Sequence, residues 1–277
     1  MAGRFRGGSL SARIGRPVVT GVLVATLAFL ALPVVLTLVG SFGTEWLGAL
    51  PSGPPTLANW RDVTVGTGVG ADVSLGASLF HSTVLALGGV VINLIVGVPI
   101  AYAVARYDFV GRDWLTVFAI LPLAPGIILG IAFLRAYPNL STSGITLVIG
   151  YSLLKAPYMV MAVQSSFQSM DLQRLEESAR SLGASWPRAF LTVIVPNART
   201  GIVAGSIISW TLAAAEFNFS YIVYSRGTPP LSIFLFNNIT NASFLNAAAA
   251  VSVFFLLIAC VTISLQIVGD RGSTLTT

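Results

Sequence analysis

Apolar residues in this chain gather into long runs separated by short polar segments, and runs of about 20 apolar residues match the hydrocarbon thickness of a bilayer. Such runs fall at residues 17–39, 80–104, 114–134, 144–164, 201–224 and 245–268. They predict an all-α, polytopic membrane protein of about six transmembrane helices. The fourth run is the weakest, since it follows the polar stretch 139–143 and carries Lys155 and Pro157; without it the count is five. It is kept because a proline in a span is tolerated where neighbouring helices satisfy the freed carbonyls. The chain then divides into a tail (1–16), a transmembrane domain (17–268) and a second tail (269–277).

Composition supports the membrane reading: 55% of residues are hydrophobic and 9% charged, with a mean hydropathy of +0.85, against about 25% charged in a soluble domain. With six spans both termini share one side, and the arginines say which. Arg4, Arg6, Arg13, Arg16, Arg106, Arg112, Arg174, Arg180, Arg188, Arg199 and Arg271 fall on that side, and Arg61, Arg135 and Arg226 on the other. The termini are therefore expected in the cytoplasm. The first run is of span length, longer than the 7–15 residues of a signal-peptide core, so it reads as a retained helix. The net charge of +5 reflects this topology, since the arginines form no patch interleaved with aromatics of the kind a nucleic acid needs. Cys260 is the single cysteine, which leaves no disulfide framework and no cysteine metal site.

Two loops stand out. Residues 40–79, expected outside, are rich in Gly, Pro, Ser and Thr and hold Glu45, Arg61, Asp62 and Asp72; they read as a partly ordered cap on which a soluble partner could rest. Residues 165–200, expected inside, are charged and patterned. From Asp171 to Gly183, Leu172, Leu175, Ala179 and Leu182 recur at helical spacing, and Asp171 is placed to cap the first turn. Gly183 stands where a left-handed residue ends a helix. Ser185 can cap a second short helix whose first turn admits Pro187, and which is expected to end before Pro196. The pattern by itself fits a helix lying on the membrane surface as well as a docking device.

The spacing Glu177-Ser178-Ala179, three residues, Gly183, nine residues, Val193-Ile194-Val195-Pro196 resembles the EAA motif of ABC importer permeases, written Glu-Ala-Ala, three residues, Gly, nine residues, Ile, any residue, Leu-Pro. The departures, Ser178, Val193 and Val195, are small in size. Likeness to permeases of the spermidine/putrescine, 2-aminoethylphosphonate and ferric-iron group extends over about residues 82–262, including Ile100-Ala-Tyr-Ala-Val-Ala-Arg-Tyr107, Leu121-Pro-Leu-Ala-Pro-Gly126 and residues 215–239. The resemblance implies a type I importer permease fold in the bacterial inner membrane. It further implies two permease subunits, usually homologous rather than identical, two cytoplasmic ATPases that bind ATP and Mg, and an extracytoplasmic substrate-binding protein. Glu177, Ser178, Ala179, Gly183 and Pro196 would then belong to the coupling segment seated in the ATPase.

The chain has no phosphate loop of the form Gly, four residues, Gly-Lys-Ser/Thr, so any ATP-driven engine must be another polypeptide. His81, the single histidine, has no metal-ligand or nucleophile partners at suitable spacing, and neither an enzyme nor a cofactor is expected. Lys155 and Glu216 lie within apolar runs, where an isolated charge costs about 2.5–3.5 kcal/mol or more. Two readings are open for them: a structural ion pair, or a polar station on a substrate path that Ser220 shares at i+4 from Glu216. An acidic residue near this point resembles the polyamine-like permeases and would favour an amine-bearing solute. An ion-coupled secondary transporter using the same two charges is the alternative function. An intramembrane hydrolase lacks its paired Asp, Ser/His or metal histidines.

Overall fold

The computed structural model describes residues 10–46, 51–65, 74–112, 114, 125–138, 144–241 and 244–274. Among them the regular structure is helical, apart from an isolated bridge between Glu45 and Ser52. The helices are α1 (Leu10–Gly40), α2 (Ala58–Val65), α3 (Leu75–Arg106), α4 (Gly126–Ala136), α5 (Gly144–Gln168), α6 (Leu172–Ser181), α7 (Trp186–Asn197), α8 (Arg199–Ala214), α9 (Asn218–Val223), α10 (Leu231–Asn241) and α11 (Phe244–Thr274).

Three of these helices are long and apolar enough to cross a membrane, Pro17–Gly40, Leu75–Arg106 and Gly144–Gln168, and α7 with α8 makes a fourth if the bent pair is one span. The apolar windows of α3 and α5 are 44% and 50% buried, so each turns about half its surface to protein and half outward, as a bundle helix in lipid does. Most of the expected third span, residues 115–124, lies outside the described residues; α4 covers its end.

The chain forms two compact units, residues 1–68 with 238–277, and residues 69–237. In the first, the segment after α1 is tied down by side chains from α2. Asn59 Nδ2 donates to the carbonyls of Ser41 (3.0 Å) and Gly43 (2.8 Å), and Trp60 Nε1 donates to Ser41 Oγ (3.1 Å). The expected cap is thus ordered over these residues. Trp46 meets Phe244 of α11 edge to face at 5.2 Å.

In the second unit α3, α5 and α8 pack together, and small residues set their separation. A Cβ on Gly89 would lie 3.2 Å from the Ser152 nitrogen, and one on Gly201 would lie 2.8 Å from the Ala162 carbonyl. Close backbone approach of this kind replaces the hydrophobic drive that lipid removes. Beneath it lies a core of Val98, Tyr102, Val163, Phe167, Leu172, Phe190 and Ile194 among others, so the polar segment after α5 shares the core of the apolar helices.

Four sequence expectations are corrected. The fifth run, 201–224, is not one helix: α8 stops at Ala214, and α9 begins at Asn218 after a break that contains Glu216. The helix after Ser185 does not end before Pro196. It continues to Asn197 through a π-helical turn, Phe190–Ile194, in which the Val195 N–H donates to Phe190 O. A wider turn tolerates the proline that an α-turn would reject, and the chain then bends by 73° between α7 and α8. Leu182 is not on the packed face: the helix ends at Ser181, and Leu182 is 89% exposed. Ser185 occupies the N-cap position in extended conformation, yet its side chain makes no cap hydrogen bond. α10 lies between the fifth and sixth runs, where the sequence predicts no helix; it is apolar but only 11 residues long, below span length.

Candidate functional site

The segment 171–197 is built as the pattern implies at its start and turn. Asp171 Oδ1 accepts the Arg174 N–H at 3.1 Å and caps α6. At the other end Gly183 has φ 83°; its N–H donates to Arg180 O (2.9 Å) and the Ala184 N–H donates to Ala179 O (3.1 Å). These two bonds are the Schellman closure, which needs a left-handed residue at the glycine position. Nothing lies within 4 Å of a Cβ built there, so backbone conformation and not space dictates glycine.

The two adjacent glutamates of α6 face opposite ways. Glu177 is exposed and accepts only from Gln173 Nε2 (2.9 Å), one turn earlier on the same helix, among the described contacts. Ser178 is also exposed and donates to Arg174 O (2.7 Å). Ala179 is buried with Leu172. Glu176 is buried beside them at 4% exposure, and its Oε2 accepts from Tyr102 Oη (3.2 Å) and Arg106 Nε (3.0 Å) of α3. Arg180 Nη1 stands 3.9 Å from its other oxygen. Pro196, exposed, sits in the last turn of α7, just ahead of the bend.

Sequence reasoning singled out Glu177 and passed over Glu176, although a signal existed. Leu172, Glu176 and Ala179 follow the i, i+4, i+7 stripe of one helix face. A carboxylate in that stripe reads as a flaw until its cation is known, and Arg106 lies 70 residues earlier.

The structure also brings Lys155, Glu216 and Ser220 together. Lys155 Nζ of α5 pairs with Glu216 Oε2 in the α8–α9 break, with side chains 12% and 10% exposed. Glu216 Oε1 accepts the Phe219 N–H (3.2 Å), and the Glu216 carbonyl accepts from Ser220 Oγ and Ser232 Oγ, both at 2.8 Å. Ser220 is fully buried and also bonds Tyr151 Oη (2.6 Å). Nearby on α5, Ser152 Oγ donates to Asn93 Oδ1 of α3 (2.7 Å), and Ser209 Oγ of α8 reaches the Lys155 carbonyl (3.4 Å). Most of the polar groups that apolar surroundings would penalise are thus bonded to one another, although the buried Asn93 Nδ2 has no hydrogen-bond partner among the described residues. No group of three or more His, Cys, Asp or Glu residues able to hold a metal occurs among the described residues.

Comparison with known proteins agrees with this architecture. The chain is 34% identical over 165 residues to the molybdate/tungstate transport system permease protein of Thermococcus kodakarensis, an alignment covering 58% of this chain and 65% of that one. The match thus spans just under two thirds of that relative's length. It is 26% identical over 243 residues to the spermidine/putrescine transport system permease protein of Escherichia coli, covering 86% of this chain and 89% of that one. These relatives are transport permeases and not enzymes. In fold it matches a chain of a bacterial ABC transporter involved in the import of the acidic polysaccharide alginate, with a TM-score of 0.69 at 18% identity over 95% of this chain and 98% of that chain. Residues 97–272, more than half of the sequence, match one family profile, and the chain belongs to the family of binding-protein-dependent transport system inner membrane components.

Proposed function

We propose that this chain is the permease subunit of an ATP-driven importer, carrying the solute path and taking its drive from a separate cytoplasmic ATPase that binds ATP and Mg. The observation that supports this reading best is the two-sided build of α6. One face, Leu172, Glu176 and Ala179, is buried, while Glu177, Ser178 and Leu182 are exposed beyond it. A helix seated on the bundle by one face presents the other to a partner. In this reading Glu177, Ser178, Ala179, Gly183 and Pro196 form the ATPase-coupling segment. A second, homologous permease completes the path, and an extracytoplasmic binding protein delivers the solute. The chain lies in the inner membrane with both termini in the cytoplasm, as its arginine distribution supports.

The solute is a small charged species whose identity is selected by the binding protein. The matched relatives are named for an oxyanion and for polyamines. An unpaired Glu216 would favour an amine-bearing solute, but its pairing with Lys155 removes the net charge on which that preference rested. Purification from native membranes tests the assembly: an ATPase and a second permease should accompany the chain, whereas a secondary transporter would come alone. Uptake into proteoliposomes holding the purified complex, driven by ATP and measured with putrescine and with molybdate in parallel, tests the solute class. Uptake driven by an ion gradient without ATP would overturn the reading.

A further inference from the structure

We propose that Glu176, with Tyr102 and Arg106, forms a latch that hands movement of α6 to α3, making Glu176 the positioning residue of the transport cycle. The proposal rests on the permease reading above. Two observations carry it: the burial of Glu176 and the identity of the helix that holds it. A buried carboxylate is tolerated only where charge and hydrogen bonds compensate it. Here both hydrogen bonds come from α3, through Arg106 Nε at 3.0 Å and Tyr102 Oη at 3.2 Å, while Arg180 of α6 itself adds only a longer ionic contact at 3.9 Å. Opening the contact would strip the buried carboxylate of both hydrogen bonds and leave it only the longer ionic contact to Arg180, so α6 and the end of α3 move together. Glu177 has no such bond to another helix among the described contacts; an exposed carboxylate can touch a partner but cannot pull on the bundle.

Tyr102 makes the joint stiff. Its ring lies 5.8 Å from Phe167 of α5, 5.2 Å from Phe190 and 6.1 Å from Trp186 of α7, and 6.0 Å from Tyr107. Four rings around one phenol fix its position, so the hydroxyl meets Glu176 from a rigid base. Arg106 stays against the Tyr107 ring, 5.2 Å from its centroid. Beyond the latch α3 continues as one helix past Asn93, which is bonded to Ser152 of α5, to Ser82, whose Oγ accepts the Leu231 N–H at 2.7 Å. At 1.5 Å per residue the span from Arg106 to Ser82 is roughly 36 Å. A pull at Glu176 therefore reaches the opposite end of the bundle, and on the way acts on α5, which bears Lys155.

The test uses the complete complex, both permeases, ATPases and loaded binding protein, in proteoliposomes, and reads ATP hydrolysed per solute imported. Glu176→Gln keeps the shape of the side chain and removes its charge; the ratio is expected to rise at least tenfold. Arg106→Lys, which retains a cation, is expected to fall between that variant and the wild type. A ratio within twofold of wild type in Glu176→Gln would overturn the latch while leaving the permease reading intact. No ATP-driven import by the wild-type complex would instead remove the permease reading, and the latch with it. If Glu176→Gln does not assemble, Tyr102→Phe, which deletes one hydroxyl and keeps the ring packing, provides the same readout. Failure of both to assemble would make the contact purely structural and overturn the proposal.

Discussion

Lys155 and Glu216, separated by 61 residues, neutralise each other at the break between α8 and α9. Because both side chains are nearly shielded, removing one partner leaves the other as an uncompensated charge, which in buried pairs costs about 3–5 kcal/mol, whereas removing both is close to neutral. Glu216→Gln and Lys155→Met should each lower the melting temperature in detergent and abolish transport, and the double variant should recover stability. A double variant that is stable yet does not transport would assign the pair to the solute path. Normal transport by all three would remove Glu216 and Lys155 from the site.

The turn at Gly183 is set by its φ of 83°. Left-handed backbone costs a non-glycine residue about 1–2 kcal/mol, and a β-branched side chain more. Since an added Cβ meets nothing within 4 Å, Gly183→Ala should lose about 1 kcal/mol and Gly183→Val more. Thermal unfolding gives the first reading, and recovery of the co-purified ATPase gives the second. Equal stability of the two variants would mean that the turn relaxes.

The opposed glutamates of α6 should respond differently to the same substitution. Glu177→Lys, on the exposed face, should insert and fold normally but weaken ATPase association and uptake at least tenfold through repulsion at the docking surface. Glu176→Lys would set an ammonium against Arg106 in a buried position and should prevent folding. Expression and monodispersity, compared with pull-down of the ATPase, separate the two effects. Wild-type uptake by Glu177→Lys would exclude that face from coupling.

Topology follows from the arginines. In a Cys260→Ser background, Ser52→Cys should react with a membrane-impermeant maleimide added from outside, and Ser185→Cys should react only after permeabilisation. Both positions are exposed on the chain, so the difference reads sidedness. The reverse pattern would invert the orientation and place α6 away from any ATPase.

Glycine at 201 is a packing choice, since a Cβ there would press on the Ala162 carbonyl at 2.8 Å and on Ser166. Overpacking typically costs 1–3 kcal/mol, so Gly201→Leu should lower the melting temperature by several degrees through separation of α5 and α8. An unchanged melting temperature would show that α8 can shift without loss.

Local features were legible in the sequence because they are written within one turn or one run. The apolar lengths of α1, α3 and α5, the Asp171 cap and the left-handed Gly183 each depend on neighbours within a few residues. The tertiary structure decided the rest. The break around Glu216 has neither proline nor glycine to announce it, and its carbonyl is taken up by Ser232 from α10 and its carboxylate by Lys155 from α5. The helix runs through Pro196 because a π-turn widens ahead of it, and no residue spacing signals that choice. Helical spacing places Glu176 on the stripe of Leu172 and Ala179, but it does not supply what makes burial of its charge tolerable. Glu176 and Glu177 differ by one position, and only the arrival of Arg106 and Tyr102 from α3 makes the first a buried anchor while the second remains in the open. Hydrophobic length and capping are properties of a segment, whereas compensation of a buried charge requires a partner that only folding brings near.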